Sequence, residues 1–547
     1  MIDPISFRKL SLEEKQNFTD EVYPMVKTSL GENPTFKPYI DPIGSVYTRL
    51  KQAAQAISHP ELTSEINEGD DLRDGGIRSL KSTADHSVNR TDPAWSTAGQ
   101  RVLNLFRDFG NNMADLSLAK ETTAIDNFLG AIDSNPELKK DITTIQGDIW
   151  LQDVRDGLLS FGHQFPSPGG SSYYLGDDGT PWKDRNRETW ITSRMTHVYS
   201  IGSMLGHEGS EALADAALKG LRGELHDDQN GGWYAGLTKD NEIVPTKQCY
   251  AHAFVILAAS SGVLACREGA EELLKDALAL YDLRFWNEEE GLSCDTWNTE
   301  FTELDSYRGL NANMHTVEAF LAAADVTGDE KYRVRAGRII DHVLVWAKDN
   351  NWRIPEHFSS DWVPDLECNK DRPDDQFKPY GATPGHGIEW ARLITQWALS
   401  TYKEDKAGAA PYIEAAENLY NRAVADAWNA DGAPGICYTT DWNGKPVVHD
   451  RMHWTLAEAI NTSAVLFHVT GNQKYADNFA EFMQYLDEKV LDHVHGSWFH
   501  QLDANNNLIG TVWPGKSDLY HAVQATLIPF YTADLSIAPA VKGGKFC

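Results

Sequence analysis

The chain has 547 residues, enough for several ordinary domains or for one small and one large, and its 41% apolar and 24% charged make-up is that of a globular protein. Its 49 basic and 80 acidic side chains leave a formal charge of −31, a field that repels phosphate backbones and anionic lipid and so excludes nucleic acid and membrane surfaces as expected partners. No run approaches the roughly 18 apolar residues of a spanning helix, and residues 1–16 lack the basic start and apolar centre of a signal peptide, so a cytoplasmic protein is expected. Cys249, Cys266, Cys294, Cys368, Cys437 and Cys547 are too scattered for a CxxC metal site or a dense disulfide framework, and reduced thiols fit them.

Of 17 tryptophans only Trp95 precedes residue 149, and of the histidines only His59 and His86 come as early. This shift predicts a boundary near residue 145. Residues 1–145 read as a helical bundle, opening on the capping pattern Ser11-Leu-Glu-Glu14 and continuing through apolar-periodic stretches at 43–57, 61–85, 94–112 and 119–132. The segment carries no catalytic constellation. It resembles an uncharacterised bacterial helical domain, its abrupt join leaves an artificial fusion open, and its helices are candidates for contacts in a homo-oligomer.

Beyond residue 148 the chain repeats itself. Met314-His315 through Val326-Thr-Gly-Asp-Glu-Lys-Tyr332 is echoed by Met452-His453 through Val469-Thr-Gly-Asn-Gln-Lys-Tyr475, an offset of 143 residues (469 minus 326) that suits two helical hairpins. Histidines open successive Ala-rich or apolar helices at His197, His252, His315, His386, His453 and His521, spaced by 55, 63, 71, 67 and 68 residues. Six histidines so spaced predict six hairpins. Thr192, Asn313 and Asp518 read as caps that place the following residues in first turns. Between the helices, acidic glycine-containing turns at Asp228–Tyr234, Glu290–Trp297 and His495–Asp503 read as hairpin loops. The expected fold class is all-α, an (α/α)6 barrel over residues 146–547 with a histidine-lined mouth, preceded by the separate N-terminal bundle.

Zinc chemistry is disfavoured because HExxH is absent and the histidines arrive one per hairpin, and a serine nucleophile because GxSxG is absent. Glycoside hydrolysis needs two opposed carboxylates. The candidates Glu318, Glu389 and Glu458 fall behind the histidines, a placement that suits orienting them. What remains is histidine as general acid and base, its imidazole kept neutral near a helix N-terminus. Read from the residues alone, His197, His386 and His453 remain open between wall and site, Glu389 and Glu458 read as anchors of barrel loops, and Asn311 and Asn313 as caps.

Five motifs in order, Trp190-Ile-Thr-Ser-Arg-Met-Thr-His197, Lys247-Gln-Cys-Tyr-Ala-His-Ala-Phe254, Tyr307-Arg-Gly-Leu-Asn-Ala-Asn-Met-His-Thr-Val-Glu-Ala-Phe320, Gly381-Ala-Thr-Pro-Gly-His-Gly-Ile-Glu-Trp390 and Trp513-Pro-Gly-Lys-Ser-Asp-Leu-Tyr-His521, resemble the N-acylglucosamine 2-epimerase superfamily, most nearly its mannose isomerase and sulfoquinovose isomerase branch. The resemblance covers residues 148–537 and implies a cofactor-free isomerase or epimerase acting on a monosaccharide, with no metal. It implies that His521 shuttles a proton on the sugar carbon and that His315 assists ring opening and serves as second acid/base. Glu318 orients His315, and His252, counted with the catalytic residues, contacts the substrate and shares in ring opening. Arg194 lies beside the substrate oxygens, Arg308 falls within a site motif, and Arg308, Tyr250, His386, Trp390 and Trp454 are the further expected substrate contacts. The expected reaction is aldose–ketose isomerisation of mannose, or a close aldose, to fructose through a cis-enediol. Sugar 2-epimerisation, sulfoquinovose isomerisation and, more remotely, a non-catalytic sugar-binding scaffold stay open as alternatives.

Overall fold

The computed structural model describes residues 154–546, the helix Pro93–Phe109 and isolated positions 81, 84, 88, 128 and 135. The expected stretch 94–112 meets the helix Pro93–Phe109. The Ser11 cap and the stretch 43–57 lie outside the described residues, as does all of 61–85 and 119–132 apart from positions 81, 84 and 128. The chain divides into two compact units, one of Met1–His86 with Ala98–Gln146 and one of Ser87–Thr97 with Gly147–Cys547.

In the second unit, helices pair as inner and outer members: α1 Thr189–Met204 with α2 Ser210–Arg222, α3 Cys249–Leu264 with α4 Ala270–Arg284, α5 Leu310–Thr327 with α6 Glu330–Asp349, α7 Pro384–Tyr402 with α8 Lys406–Ala427, and α9 His453–Thr470 with α10 Gln473–Tyr485. The short helix α11, Tyr520–Ala525, is the sixth inner member. Each inner helix packs on the next, and α11 returns to α1, so the ring closes. Composition explains which helices are inner. In α3 all but three of 16 residues are buried (13 buried), including the run Ala253–Gly262, whereas α4 buries six of 15 along one stripe and turns its charges outward. The last helix, α12 Ile537–Gly543, packs against α1, α3 and α5.

The repeated Val-Thr-Gly-Asx element is a hairpin device. Gly328 and Gly471 end α5 and α9 in the left-handed region, at φ 71° and 66°, where a side chain would be strained. Asp329 and Asn472 then cap the outgoing helices by accepting from Lys331 N–H and Lys474 N–H.

At the opposite ends, two- and three-residue antiparallel strands stitch the rim. The strand before each inner helix pairs with a segment before the next: Arg187–Glu188 with Gly236–Leu237, Thr246–Gln248 with Thr296–Asn298, Arg308–Gly309 with His357–Phe358, and Arg451–Met452 with Gln501–Leu502. Ala382 bridges Thr440, and Lys516 N–H donates to the Leu175 carbonyl, which completes the circuit. A basic residue stands two positions before α1, α3, α5 and α9, at Arg187, Lys247, Arg308 and Arg451. Lys247 reaches Asp227 at 2.8 Å, Lys516 reaches Asp492 at 2.6 Å and Arg451 reaches Asp431 at 2.6 Å, all deeply buried. Removing one partner of such a pair costs about 3–5 kcal/mol, because the other charge is left uncompensated. The acidic turns that carry Asp227 and Asp492 are thus fastened to the rim by the lysines that follow them in sequence.

Candidate active site

The N-terminal ends of the inner helices surround a cavity of about 550 Å³ lined by Arg194, Tyr250, His315, His386, Glu389, His453, Trp454, Asp518 and His521, with Asn311, Gln376, Phe377, Pro379, Tyr438, Trp513 and Ser517. The histidines do not all sit in first turns. His453, His521, His386 and His252 are first, second, third and fourth in their helices, but His315 is sixth and His197 ninth. The reason is that Thr192 and Asn313 are not caps; α1 and α5 begin earlier, after extended residues of the rim strands. Asn313 instead binds the backbone of Ser293 through both ends of its amide, accepting at 2.9 Å and donating at 3.0 Å. Asp518 does accept from Tyr520 N–H, at 3.0 Å.

Three histidine–carboxylate pairs stand at this cavity, His386–Glu356 among them, and in the other two the imidazole is buried. His315 Nδ1 lies 3.2 Å from Glu318 Oε2, the i,i+3 relation of one helix face. His521 Nδ1 lies 3.1 Å from Glu458 Oε1 on α9, and Glu458 in turn accepts from Arg392 Nε at 2.7 Å. In both pairs Nδ1–H donates to the carboxylate, which leaves the lone pair on Nε2. Burial pushes His315 down to about 4 against the pull of Glu318, and burial with the nearby Arg194 and His453 holds His521 well below its ordinary range. Both rings are therefore neutral bases at pH 7. Their neutrality comes from desolvation rather than from the helix N-terminus, since His315 lies in the second turn.

Arg194 is clamped. Its guanidinium stacks 4.8, 4.6 and 4.7 Å from the ring centroids of Trp190, Phe254 and Tyr520, pairs with Asp518 at 3.3 Å and donates to Tyr250 Oη at 3.0 Å. Although burial opposes its charge, Tyr250 and Asp518 keep it protonated, and Nε has no partner. Glu389 also lines the cavity. Burial and then the neighbouring Glu458 push its carboxyl well above the usual range, toward the protonated form, against the pull of Arg392 Nη2 at 3.6 Å. His386 Nδ1 meets Glu356 at 3.0 Å, and the His386 ring lies 4.9 Å from Trp454. His453 stacks on His500 at 3.6 Å and 8°.

Three expected contacts are placed elsewhere. His252 uses both ring nitrogens on backbone, Nδ1 toward the Gln248 carbonyl at 2.7 Å and Nε2 accepting from Trp233 N–H at 3.1 Å, and is not among the residues that line the cavity. Arg308 occupies the basic position of a rim strand and donates to the carbonyls of Asp305 and Tyr307, at 2.6 and 2.8 Å. Trp390 is fully buried outside the cavity lining. His197 turns to a second cavity of about 600 Å³, nearer the other ends of the helices, which also touches Glu318, Arg392 and Gln524. The loop aromatic Phe377, which forms edge contacts with Trp190 and Trp513 at 6.3 and 5.6 Å, gave no helical signal to find it by. Asp518 was legible only as a cap, and Glu389 only as a loop anchor; neither reading exposes a partner that is distant in sequence.

Ligand atoms of His315, Glu318 and Glu389 lie within 4.8 Å of one another, as do those of Asp431, Cys437 and His449. In the first group Glu318 is engaged by His315 and by the Tyr520 hydroxyl; in the second Asp431 is engaged by Arg451. The five described cysteines are free, and among the described residues no helix is long and apolar enough to cross a membrane.

A closed ring of helix pairs that gathers neutral, carboxylate-backed imidazoles at one mouth defines an (α/α)6-barrel enzyme equipped for proton transfer. The N-acylglucosamine 2-epimerase (GlcNAc 2-epimerase) family matches residues 169–525, and the chain belongs to it. It is 42% identical over 356 residues to a D-mannose isomerase of Pseudomonas cannabina pv. alisalensis, covering 65% of this chain and 86% of that one. It is 40% identical over 408 residues to a D-mannose isomerase of Thermobifida fusca, covering 72% and 96%. A crystal structure of a D-mannose isomerase superposes with a TM-score of 0.63 at 26% identity, covering 70% of this chain and 97% of the other. Residues 63–156 match a family of unknown function (DUF6261), a span that runs past the expected boundary near residue 145.

Proposed function

We propose that this enzyme interconverts mannose, or a close aldose, and fructose by histidine acid–base catalysis through a cis-enediol. The observation that carries this reading is the pair His315–Glu318 and His521–Glu458, two neutral imidazoles with separate carboxylates on one sugar-sized cavity. Ring opening requires a base for the anomeric hydroxyl and an acid for the ring oxygen. His315 takes the first role, and Glu389, whose carboxyl is pushed toward its protonated form, supplies the acid at the same cavity. The open-chain aldehyde acidifies the C2 hydrogen, which His521 removes through Nε2 and returns to C1, while His315, as second acid/base, takes the proton of the C2 hydroxyl and delivers it to O1. The low basicity of a buried imidazole makes its conjugate acid a strong donor for that return. Charge developing on O1 and O2 is met by Arg194, fixed in place before substrate arrives. Trp454, 5.9 Å from His521, and Trp513 offer apolar faces to the sugar.

Among the described lining residues Arg194 is the one Arg or Lys, and Asp518 already pairs with it, so the cavity fits a neutral hexose better than a sulfonated one. Delivery of the proton to the opposite face of C2 would instead give 2-epimerisation, and the presence of two separately supported imidazoles favours this as the second reading. All the proposed groups lie between Arg194 and His521, so residues 1–145 are assigned no part in the chemistry. Incubation with mannose in deuterated water, read by NMR, tests the proposal: fructose is expected, with any deuterium at the exchanging carbon. Glucose as the sole first product makes the enzyme a 2-epimerase. No change in mannose, glucose, fructose or sulfoquinovose removes the isomerase reading.

A further inference from the structure

Resting on that reading, we infer that Tyr520 is a positioning residue for His315, acting through Glu318. Tyr520 and His521 are adjacent on α11, yet the phenol reaches away from the His521 pair to the other one. Its hydroxyl donates to Glu318 Oε2, the same oxygen that faces His315 Nδ1. One turn on, Gln524 Nε2 approaches Glu318 Oε1 at 3.4 Å, and its amide also meets His197 Nε2 at 3.3 Å. The carboxylate that orients His315 is thus gripped by two side chains of the helix that carries His521. No other carboxylate at this cavity is held in this way among the described residues.

The Tyr520 ring completes the arrangement. Fully buried, it lies 4.7 Å from the His521 ring, 6.5 Å from the His315 ring and 4.7 Å from the Arg194 guanidinium. A phenol packed on three candidate catalytic groups, with its one polar atom on the carboxylate of the fourth, has no freedom to turn elsewhere. The consequence for His315 follows from hydrogen-bond chemistry. A carboxylate that accepts a second strong bond is a poorer acceptor for the first proton, so Glu318 stays ionised without drawing the proton off Nδ1, and the imidazole remains the neutral Nδ1–H tautomer. Without the phenol, Glu318 is a buried charge short of a donor, and it recovers stabilisation by favouring imidazolium at His315. The other ionisable groups around this pair are Arg194 and His197 on α1, Tyr250 on α3, His386, Glu389 and Arg392 on α7, and His521 on α11. Of these, none donates to Glu318 Oε2 as Tyr520 does.

The test is a double-mutant cycle of Tyr520→Phe and Glu318→Gln in the full chain, with kcat, KM and the pH profile of kcat/KM measured on mannose. Tyr520→Phe keeps the ring and its packing. It is expected to lower kcat by about 10-fold or more with KM nearly unchanged, and to move the acid limb to higher pH, because a more basic His315 loses its neutral form sooner on acidification. Once Glu318 is Gln, the second substitution should add little. Additive losses, or an unshifted acid limb, would overturn the inference. Should Tyr520→Phe unfold, Gln524→Met probes the same carboxylate from its other oxygen and should give a smaller shift in the same direction; no shift there overturns it equally. Wild type assayed in parallel separates the two readings, since failure to turn over any sugar counts against the isomerase reading and an additive cycle in an active enzyme counts against the clamp alone.

Discussion

The two buried histidine–carboxylate pairs perform one task with different construction. His315 and Glu318 share a helix, three residues apart, and their hydrogen bond is a product of local geometry. His521 and Glu458 are 63 residues apart on different inner helices, and Glu458 is anchored by Arg392 from a third. The local pair takes its spacing from α5 alone, and ring closure adds to it the Tyr520 and Gln524 contacts on Glu318. The remote pair needs α7, α9 and α11 to pack in register, and α11 is a helix of only six residues that could not hold its place alone. The first pair is therefore spaced by secondary structure and only buttressed by the closed ring, whereas the second exists through the ring alone, so damage to each should have different consequences.

The largest effects are expected at the imidazoles. His315→Asn and His521→Asn keep polarity and approximate size but remove the base, so turnover should fall by about 100-fold or more with far-UV circular dichroism unchanged. Near-normal turnover in either variant would show that only one pair works. The carboxylates separate the pairs next. Glu458→Gln removes the 2.7 Å partner of buried Arg392 and leaves it Glu389 at 3.6 Å, so it should destabilise by up to about 3–5 kcal/mol besides slowing turnover. Glu318→Gln, which strands no cation, should slow turnover with a much smaller change in midpoint. Equal losses of stability would erase the distinction.

Acid should expose the shared feature. Burial lowers His315, His197 and His453 from 6.5 to about 4 and His252 to about 3. The unfolded chain takes up protons at the ordinary value, so between about pH 6.5 and 4 it binds more than the folded chain, and stability falls as pH is lowered through that window. Thermal melts across it should show Tm declining, and His453→Gln should lessen the decline. A flat profile would contradict the buried neutral state. The smallest effect is expected from chelation: exhaustive EDTA treatment should leave turnover on mannose essentially unchanged, whereas a loss restored by one divalent ion would assign the His315, Glu318 and Glu389 group to a metal.

Much of this was legible beforehand because it is local or periodic. Hydrophobic period and histidine spacing are properties of the chain, and they predict six hairpins with histidines toward one rim. The Gly328 and Gly471 caps follow from a backbone angle that other residues resist. The His315–Glu318 pair follows from 3.6 residues per turn. What could not be read was whatever depends on two distant segments meeting. His252 carries the same spacing as His315, yet the rim hairpin at Trp233 donates a backbone N–H into its ring, which stays outside the cavity lining. Arg308 sits within a site motif, yet its strand belongs to the stitching of the mouth. Glu458, Asp518 and Tyr520 acquired their partners only through closure of the ring, since burial and hydrogen-bond pairing are decided by tertiary packing, which sets the neighbours and excludes the water.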